Sequence, residues 1–250
     1  MRRRYLLVFA IFAYAIALVV TLPTAHLLQW VDTRPAQLSG VGGSVWHGSA
    51  QRVKVQDVIA DDVRWQFLPA RLLSGELAFG VQAQYAGGPV AGRLSADWRR
   101  ELHLRAFSYR MDARRLADFM PLPIAEFSGD IKTDLEQVTV RNGALQTVTG
   151  KVRWEQATLT SPFETMLGDY RINVRTTDRG HRAELRGEGG SLAAEGEVRV
   201  QQDGRFNMAV TLTPARNAPG ELVEQLKFIG RRQRNGKYLL KHDGNLRDFW

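Results

Sequence analysis

The chain contains few residues whose types and spacing could support catalysis or bind a metal. No histidine is paired with another histidine or a carboxylate in a ligand-like motif, so the sequence predicts no metal site. Asp61 and Asp62 are adjacent, but neighbouring side chains on a strand point to opposite faces and cannot easily share a proton or a metal. The five histidines are His26, His47, His103, His181 and His242.

Two motifs typical of enzymes are incomplete or absent. The glycine-rich stretch at residues 40–43 lacks the Gly-Lys-Ser/Thr of a phosphate-binding loop, and a strand rather than a helix is predicted to follow it. No Gly-x-Ser-x-Gly nucleophile motif is present. The chain has no cysteine, which excludes disulfides, thiolate metal sites and cysteine nucleophiles. The sequence therefore predicts a protein that is not an enzyme and needs no cofactor.

One segment near the N-terminus is apolar enough to cross a membrane. Residues 5–22, from Tyr5 to Leu22, contain no charged residue. At about 1.5 Å per residue they nearly span a hydrocarbon core of about 30 Å. Three arginines precede them, at residues 2–4, and predict a cytoplasmic N-terminus with the bulk of the chain across the membrane. A cleaved signal peptide is the alternative, although its usual core is shorter.

The charge of the chain suggests a nucleic-acid partner at first, because the formal net charge is +8. Three of these charges belong to the arginines before the apolar segment. The remaining excess is modest for a chain of 250 residues, and the membrane separates most of the chain from nucleic acid. We therefore predict no nucleic-acid partner.

Alternation of apolar and polar residues with a period of two dominates the rest of the chain. In one example Val63, Trp65 and Phe67 share a face, and in another Leu77 begins an alternating run that ends at Tyr85. One apolar face and one polar, solvent-exposed face are typical of antiparallel sheets. Turn residues separate the runs, and a glycine–charged–apolar triplet often starts the next one, as at Gly75-Glu76-Leu77 and Gly92-Arg93-Leu94. The charged residue of each triplet is expected to point to water and the apolar residue to the core. We expect a mainly β fold, a curved antiparallel sheet.

Two short helices are predicted, at Asp112–Met120 and Pro219–Ile229. The second has Leu222, Leu226 and Ile229 at helical spacing. The predicted organisation is a cytoplasmic tail at 1–4, a transmembrane helix at 5–22, a linker at 23–40 and a β-rich periplasmic domain at 41–250. This domain could consist of two similar β halves, at about 41–125 and 126–250.

Three neighbouring motifs together resemble a known family. They are GGSVWHGSA at residues 42–50, VRWQFLP at 63–69 and LLSGEL at 72–77. GKVRW at 150–154 and GKYLL at 236–240 suit the same family. Their order after a single apolar segment resembles protein N of the type II secretion system, the general secretion pathway protein N family. The resemblance covers nearly the whole chain.

The resemblance implies an inner-membrane, single-pass component of the machine that exports folded proteins from the periplasm across the outer membrane of Gram-negative bacteria. It also implies partners among the other secretion subunits, in the inner-membrane platform or the outer-membrane secretin. The family carries no catalytic residues over to this chain. A second reading stays open, in which the apolar face of the sheet forms an open groove that binds or transports lipid in the periplasm.

The residues of these motifs also have a physical interpretation. Trp46, Trp65 and Trp154 are large enough to anchor a sheet core. Gly48 could relieve crowding beside a tryptophan, Pro69 could close an edge strand, and Gly75 begins the next strand. These six residues are predicted to be core, with docking of a partner as the alternative role.

Overall fold

The computed structural model describes residues 36–56, 58–99, 101–116 and 125–245. The predicted cytoplasmic tail, the apolar segment 5–22 and most of the linker lie outside the described residues. Among the described residues, no helix combines the length and the apolar character that crossing a bilayer requires. The prediction of a mainly β, antiparallel fold is confirmed, and the chain divides into two compact units at Trp98 and Arg99.

The first unit is an antiparallel sheet built almost entirely from consecutive hairpins. Its strands follow one another in the order β1-β3-β4-β5-β6, with β2 beside β3. A 3-10 helix at Pro69–Ser74 connects β4 to β5. The strands are β1 (Ala36–Ser39), β2 (Gly42–Gly43), β3 (His47–Val55), β4 (Val58–Phe67), β5 (Glu76–Tyr85) and β6 (Gly88–Asp97).

The second unit is a longer antiparallel meander, in which the helix α1 (Gly220–Ile229) lies between β13 and β14. Its strand order is β7-β8-β9-β10-β11-β12-β13-β15-β14. The strands are β7 (Glu101–Asp112), β8 (Glu126–Arg141), β9 (Ala144–Ser161), β10 (Thr165–Thr177), β11 (Gly180–Glu188), β12 (Leu192–Val200), β13 (Arg205–Pro214), β14 (Arg231–Arg232) and β15 (Tyr238–Asn245).

Short turns fix the register of the meander where the sequence predicts them. Asn142 and Gly143 join β8 to β9 with φ angles of 51° and 75°, which is left-handed backbone at both positions. A turn of this kind matches the twist of the strands that it joins. The turn pairs Arg141 with Ala144, and a β-bulge between Thr139 and Val140 then shifts the register by one residue, so that Val138 pairs with Val148.

The two faces of the second unit differ as the alternation predicts. On one face, α1 covers the ends of the strands and buries Leu222 and Leu226 against a cluster that includes Leu212 and Tyr238. The other face carries cross-strand ion pairs, which join Arg175 to Glu184, Arg182 to Glu197, Arg153 to Asp134 and Lys132 to Glu155.

The helix α1 is confirmed within one residue of its predicted bounds, with Pro219 as its N-cap and Gly230 directly after it. Ile229 is nevertheless 55% exposed, because the helix ends there beyond its packed face. In the segment Asp112–Met120, the structure describes a short 3-10 helix at Ala113–Arg115. As predicted, the Asp112 carboxylate caps it by accepting the Arg114 N–H at 2.9 Å. Phe119 and Met120 lie outside the described residues.

The first unit departs from the prediction at two leucines, although Trp65, Phe67 and Phe79 on the same face are partly buried as predicted. Leu77 and Leu94 follow the glycine–charged–apolar pattern and were expected inside, but they are 47% and 46% exposed. Ala78 and Ser95 are the buried residues of β5 and β6, and they face the opposite way. Alternation tells which residues share a face, and burial needs a second layer over that face as well.

Candidate functional site

Four residues pack the bend before β3 against β3 and β4, and we call them the tryptophan lock: Trp46, Gly48, Trp65 and Phe67. Gly48 on β3 stands directly opposite Trp65 on β4, so both belong to the same face. The Trp65 indole lies over Gly48, where an added Cβ would come within 2.3 Å of the ring. Its Nε1–H donates a hydrogen bond to the Val45 carbonyl at 3.0 Å. The indole therefore ties the loop before β3 to β4.

The loop that Trp65 holds is itself closed by hydrogen bonds. The Ser44 N–H donates to the His47 carbonyl at 2.7 Å, and the His47 N–H donates to the Ser44 hydroxyl at 3.1 Å. The Phe67 N–H then donates to the Trp46 carbonyl at 2.7 Å. These bonds account for Ser44 in the motif, because its hydroxyl accepts the main-chain N–H of His47.

Trp46 begins a row of aromatic rings across the sheet. Its ring centroid lies 4.6 Å from that of Phe67, which lies 5.5 Å from that of Phe79 on β5. Tilted aromatic pairs at these separations contribute about 0.5–1.5 kcal/mol beyond the area that they bury. The row joins the bend before β3 to β4 and β5.

Pro69 and Gly75 bracket the 3-10 helix between β4 and β5, and both are exposed, so the prediction that they belong to the core is wrong. Pro69 is its first residue, and Gly75 ends it with a φ of 75° and an N–H that donates to the Leu72 carbonyl. The expectation that Pro69 closes an edge strand is wrong, because β4 pairs with β3 and with β5. Proline fits here because the first residue of a helix needs no N–H donor.

The 3-10 helix also presents an exposed apolar patch that the sequence analysis did not identify. Leu72 and Leu73 point into solvent, and Trp98 at the end of β6 is largely exposed as well. The Trp98 ring approaches Gly75, where an added Cβ would lie 3.9 Å from Cδ1. The two adjacent leucines after Pro69 were the available signal, because they interrupt the strand alternation.

Trp154 lies in the second unit, away in sequence from the other predicted site residues, and forms a similar lock. Its Nε1–H donates to the Ser128 carbonyl at 3.2 Å. Its ring lies 5.5 Å from Phe127 and 5.8 Å from Tyr170 between ring centroids. Gly129 makes room for it, since a Cβ there would lie 2.9 Å from the indole nitrogen.

Tyr170 extends this second lock into the core. Its hydroxyl donates to the Leu192 carbonyl at 2.7 Å, and its ring covers Gly187. Burial raises the pKa of Tyr170 to about 12, because the phenolate would lose its hydration. Both the tryptophan locks and this tyrosine therefore serve packing and strand pairing.

The polar face of the second unit contains one pairing that the sequence analysis missed. Glu101 and His103 lie two residues apart on β7 and share a face, with 4.0 Å between Oε2 and Nε2. His103 also hydrogen-bonds Thr139 at 3.2 Å, and Arg141 forms an ion pair with Glu101. The spacing of two on a strand was the signal. A cation at Glu101 would compete with the Arg141 guanidinium, so the group is best described as a cross-strand clasp.

The adjacent aspartates behave as the sequence predicts. Asp61 forms an ion pair with Arg52 on β3 at 2.7 Å, and Asp62 is exposed at a bulge with a φ of 50°. The carboxylates therefore have separate surroundings. The described parts of both units place hydrogen bonds and ring contacts at the motif residues and bring no nucleophile–base pair to them.

Comparison with known proteins shows which family this chain resembles. The family model described as type II secretion system (T2SS), protein N matches residues 34–241. The type II secretion system protein N of Aeromonas hydrophila is 24% identical over 242 residues, covering 94% of this chain and 95% of the relative. The proteins of the same name from Vibrio cholerae and Pectobacterium carotovorum are each 24% identical, over 225 and 213 residues. These matches cover 84% and 82% of this chain, and 85% and 82% of the relatives.

No solved structure matches the chain significantly. The family model spans the tryptophan lock and the lock around Trp154, and it ends within β15. The resemblance that the motifs suggest is thereby confirmed. The chain belongs to the family of type II secretion system protein N.

Proposed function

We propose that this protein is a non-enzymatic, inner-membrane-anchored component of the type II secretion system that takes part in the export of folded proteins from the periplasm. The family match over residues 34–241 carries the proposal. The two tryptophan locks support it, because their polar atoms bond to backbone carbonyls and stabilise the sheets. A structural or interaction role fits such residues better than catalysis does.

The apolar segment 5–22 supports the anchoring part of the proposal. It follows three arginines and contains no charge, which is typical of a single span with a cytoplasmic N-terminus. The 13 residues between 22 and 36 can extend about 45 Å at roughly 3.3–3.6 Å per residue. The first unit would then lie close to the periplasmic surface of the inner membrane.

The outer edge of β15 supports a role in binding other secretion subunits. β14 pairs with β15 at Leu239 and Tyr238 alone. No described strand covers the same edge of β15 over residues 240–244. An uncovered edge can accept an extended segment of another protein by strand addition. We propose this edge as the contact with an inner-membrane subunit or the secretin.

Exchange of the anchor tests the proposal. A variant in which a cleavable signal peptide replaces residues 5–22 should accumulate in the soluble periplasmic fraction and fail to restore export in a deletion strain. The wild-type chain, expressed at the same level, is the matched control. Full restoration of export by the soluble variant would contradict the anchored role, and membrane fractionation of that variant would reveal a second attachment.

The half-exposed apolar face of the first unit favours a second candidate function, the binding or transport of lipid. Leu77 and Leu94 are exposed beside Phe79, and Val81 and Val90 extend the same face. Acyl chains could cover this face. Mass spectrometry of the protein, purified in detergent, should then detect bound lipid, and Leu94→Glu should reduce its amount. Equal lipid in both preparations, or none, would contradict this candidate.

A further inference from the structure

The C-terminal end of α1 exposes two large apolar residues that are consecutive in the sequence. Phe228 is 84% exposed and Ile229 is 55% exposed. The packed face of the helix uses Leu222 and Leu226 instead, and both are buried against the sheet. Phe228 and Ile229 therefore contribute little to the described core. Exposed apolar residues that are rimmed by polar or charged residues can mark a site of protein or membrane interaction.

Five cations surround this apolar pair without any acidic residue among them. Residues 227–237 read KFIGRRQRNGK. Lys227 forms an ion pair with Glu224, but no described carboxylate forms one with the other four, which are all exposed. We define Phe228, Ile229 and these cations as the helix-end patch; the cations are Lys227, Arg231, Arg232, Arg234 and Lys237.

The backbone holds the cations in place beside the helix. Arg231 and Arg232 form β14 and pair with Leu239 and Tyr238 of β15. The Gln233 N–H donates to the Lys237 carbonyl at 2.7 Å and closes the turn that follows. The backbone that carries these cations is thus a paired hairpin, and it follows directly after the exposed pair in the sequence.

We propose that the helix-end patch binds the headgroup region of a bilayer that contains anionic phospholipid. Phe228 and Ile229 enter the boundary between headgroups and acyl chains, and the cations contact lipid phosphates. Apolar residues with adjacent cations are typical of segments that lie on anionic membranes. A protein partner would usually bury about 800 Å² on each side, far more than two side chains offer. The inference does not depend on the secretion role.

The absence of cysteine from the chain permits a direct test. The full-length variant Ile229→Cys, labelled with an environment-sensitive fluorophore, is reconstituted into nanodiscs of phosphatidylcholine with or without phosphatidylglycerol. We expect a blue shift of the emission and quenching by spin-labelled lipid in the anionic discs. The matched control is Leu145→Cys. Leu145 is also exposed, but it lies at the opposite ends of the strands of the same unit, and its label should stay in water.

Two charge variants distinguish binding by the helix-end patch from attraction of the whole protein to anionic lipid by its net charge. Arg231→Gln/Arg232→Gln removes two exposed cations and leaves the backbone pairing of β14 intact, so the fold should persist. In this variant, roughly tenfold more phosphatidylglycerol should be required for a label at position 229 to give the same response. Arg171→Gln/Arg186→Gln removes the same charge from an exposed cross-strand pair in the same unit and should leave the response unchanged.

Three results would overturn the proposal. The label at Ile229 could remain in water in the anionic discs, as it would if the patch served an acidic protein. The label could respond equally in neutral and anionic discs, which would exclude the role of the cations. The two double variants could also weaken the response equally, which would show attraction by net charge instead of a defined patch.

Discussion

Gly48→Ala tests the tryptophan lock most sharply. A Cβ at this position would lie 2.3 Å and 2.6 Å from two atoms of the Trp65 ring, and 2.7 Å from the Ser44 carbonyl oxygen. The ring and the backbone enclose it from two sides, so the methyl group cannot be accommodated by a small rotation. The indole must move, and its 3.0 Å hydrogen bond to the Val45 carbonyl is then broken.

The magnitude follows from two contributions. Overpacking by one methyl group typically costs about 1–3 kcal/mol, and a lost hydrogen bond costs about 0.5–1.5 kcal/mol. The expected loss in the free energy of unfolding is therefore about 2–4 kcal/mol. Urea denaturation of the protein in mild detergent, followed by tryptophan fluorescence, measures it. Hydrogen exchange should locate the loss in the amides of the first unit.

Gly80→Ala is the matched control on β5 of the same unit. The nearest atom to its added Cβ is 3.9 Å away, which is ordinary contact, and its φ lies outside the left-handed region. Its effect should remain within about 0.5 kcal/mol, because an alanine without strain also restricts the unfolded chain. Equal effects of the two variants would refute the idea that Trp65 rests on Gly48.

Two further predictions concern the core of the second unit. Leu226→Ala should lower the free energy of unfolding by about 2–5 kcal/mol, because Leu226 is 1% exposed. The control variant Ile229→Ala should change it by less than about 0.5 kcal/mol. Equal urea midpoints of the two variants would contradict the packing of α1. Tyr170→Phe should cost about 1 kcal/mol at neutral pH, where Tyr170 keeps its bond to Leu192. Since burial raises the pKa of Tyr170 from 10.0 to about 12, its stabilising effect is complete below pH 10 and is lost as the pH rises through about 12. The advantage of the wild type over Tyr170→Phe in urea titrations should therefore shrink above pH 10 and reverse in stronger alkali, and a constant difference would contradict the burial of the phenol.

The sequence predicts best those features that depend on neighbouring residues. Turn residues such as Asn142 and Gly143 set the hairpins, and alternation assigns Val63, Trp65 and Phe67 to one face. These features follow from backbone geometry and need no knowledge of the rest of the fold. The core interpretation of the tryptophans likewise depended only on their size and on nearby glycines.

The sequence predicts less well what depends on a second layer. Leu77 and Leu94 follow the correct period, yet they are exposed, because no local pattern tells whether anything covers a sheet face. Pro69 was expected at an edge strand, but strand order is a long-range property. The clasp of Glu101 and His103 was missed, although the two residues lie two apart in the sequence, which is the spacing of neighbours on one face of a strand.

Some expectations stay predictions. The apolar segment 5–22 lies outside the described residues, and the similarity between halves at about 41–125 and 126–250 is an internal relationship that the strand pairing does not address. The docking role of Trp46 and Trp154 also stays a prediction, since their hydrogen bonds and ring contacts account for the packing of these two side chains.

Deletion of the protein in its native host tests the central claim most directly. Exported enzymes are assayed in the medium and in the periplasm, with the integrity of the outer membrane measured in parallel. The secretion role predicts folded, active enzyme trapped in the periplasm, and release after the intact gene is restored. Normal export from cells that lack the protein would contradict that role, and a leaky outer membrane with normal export would favour the lipid function instead.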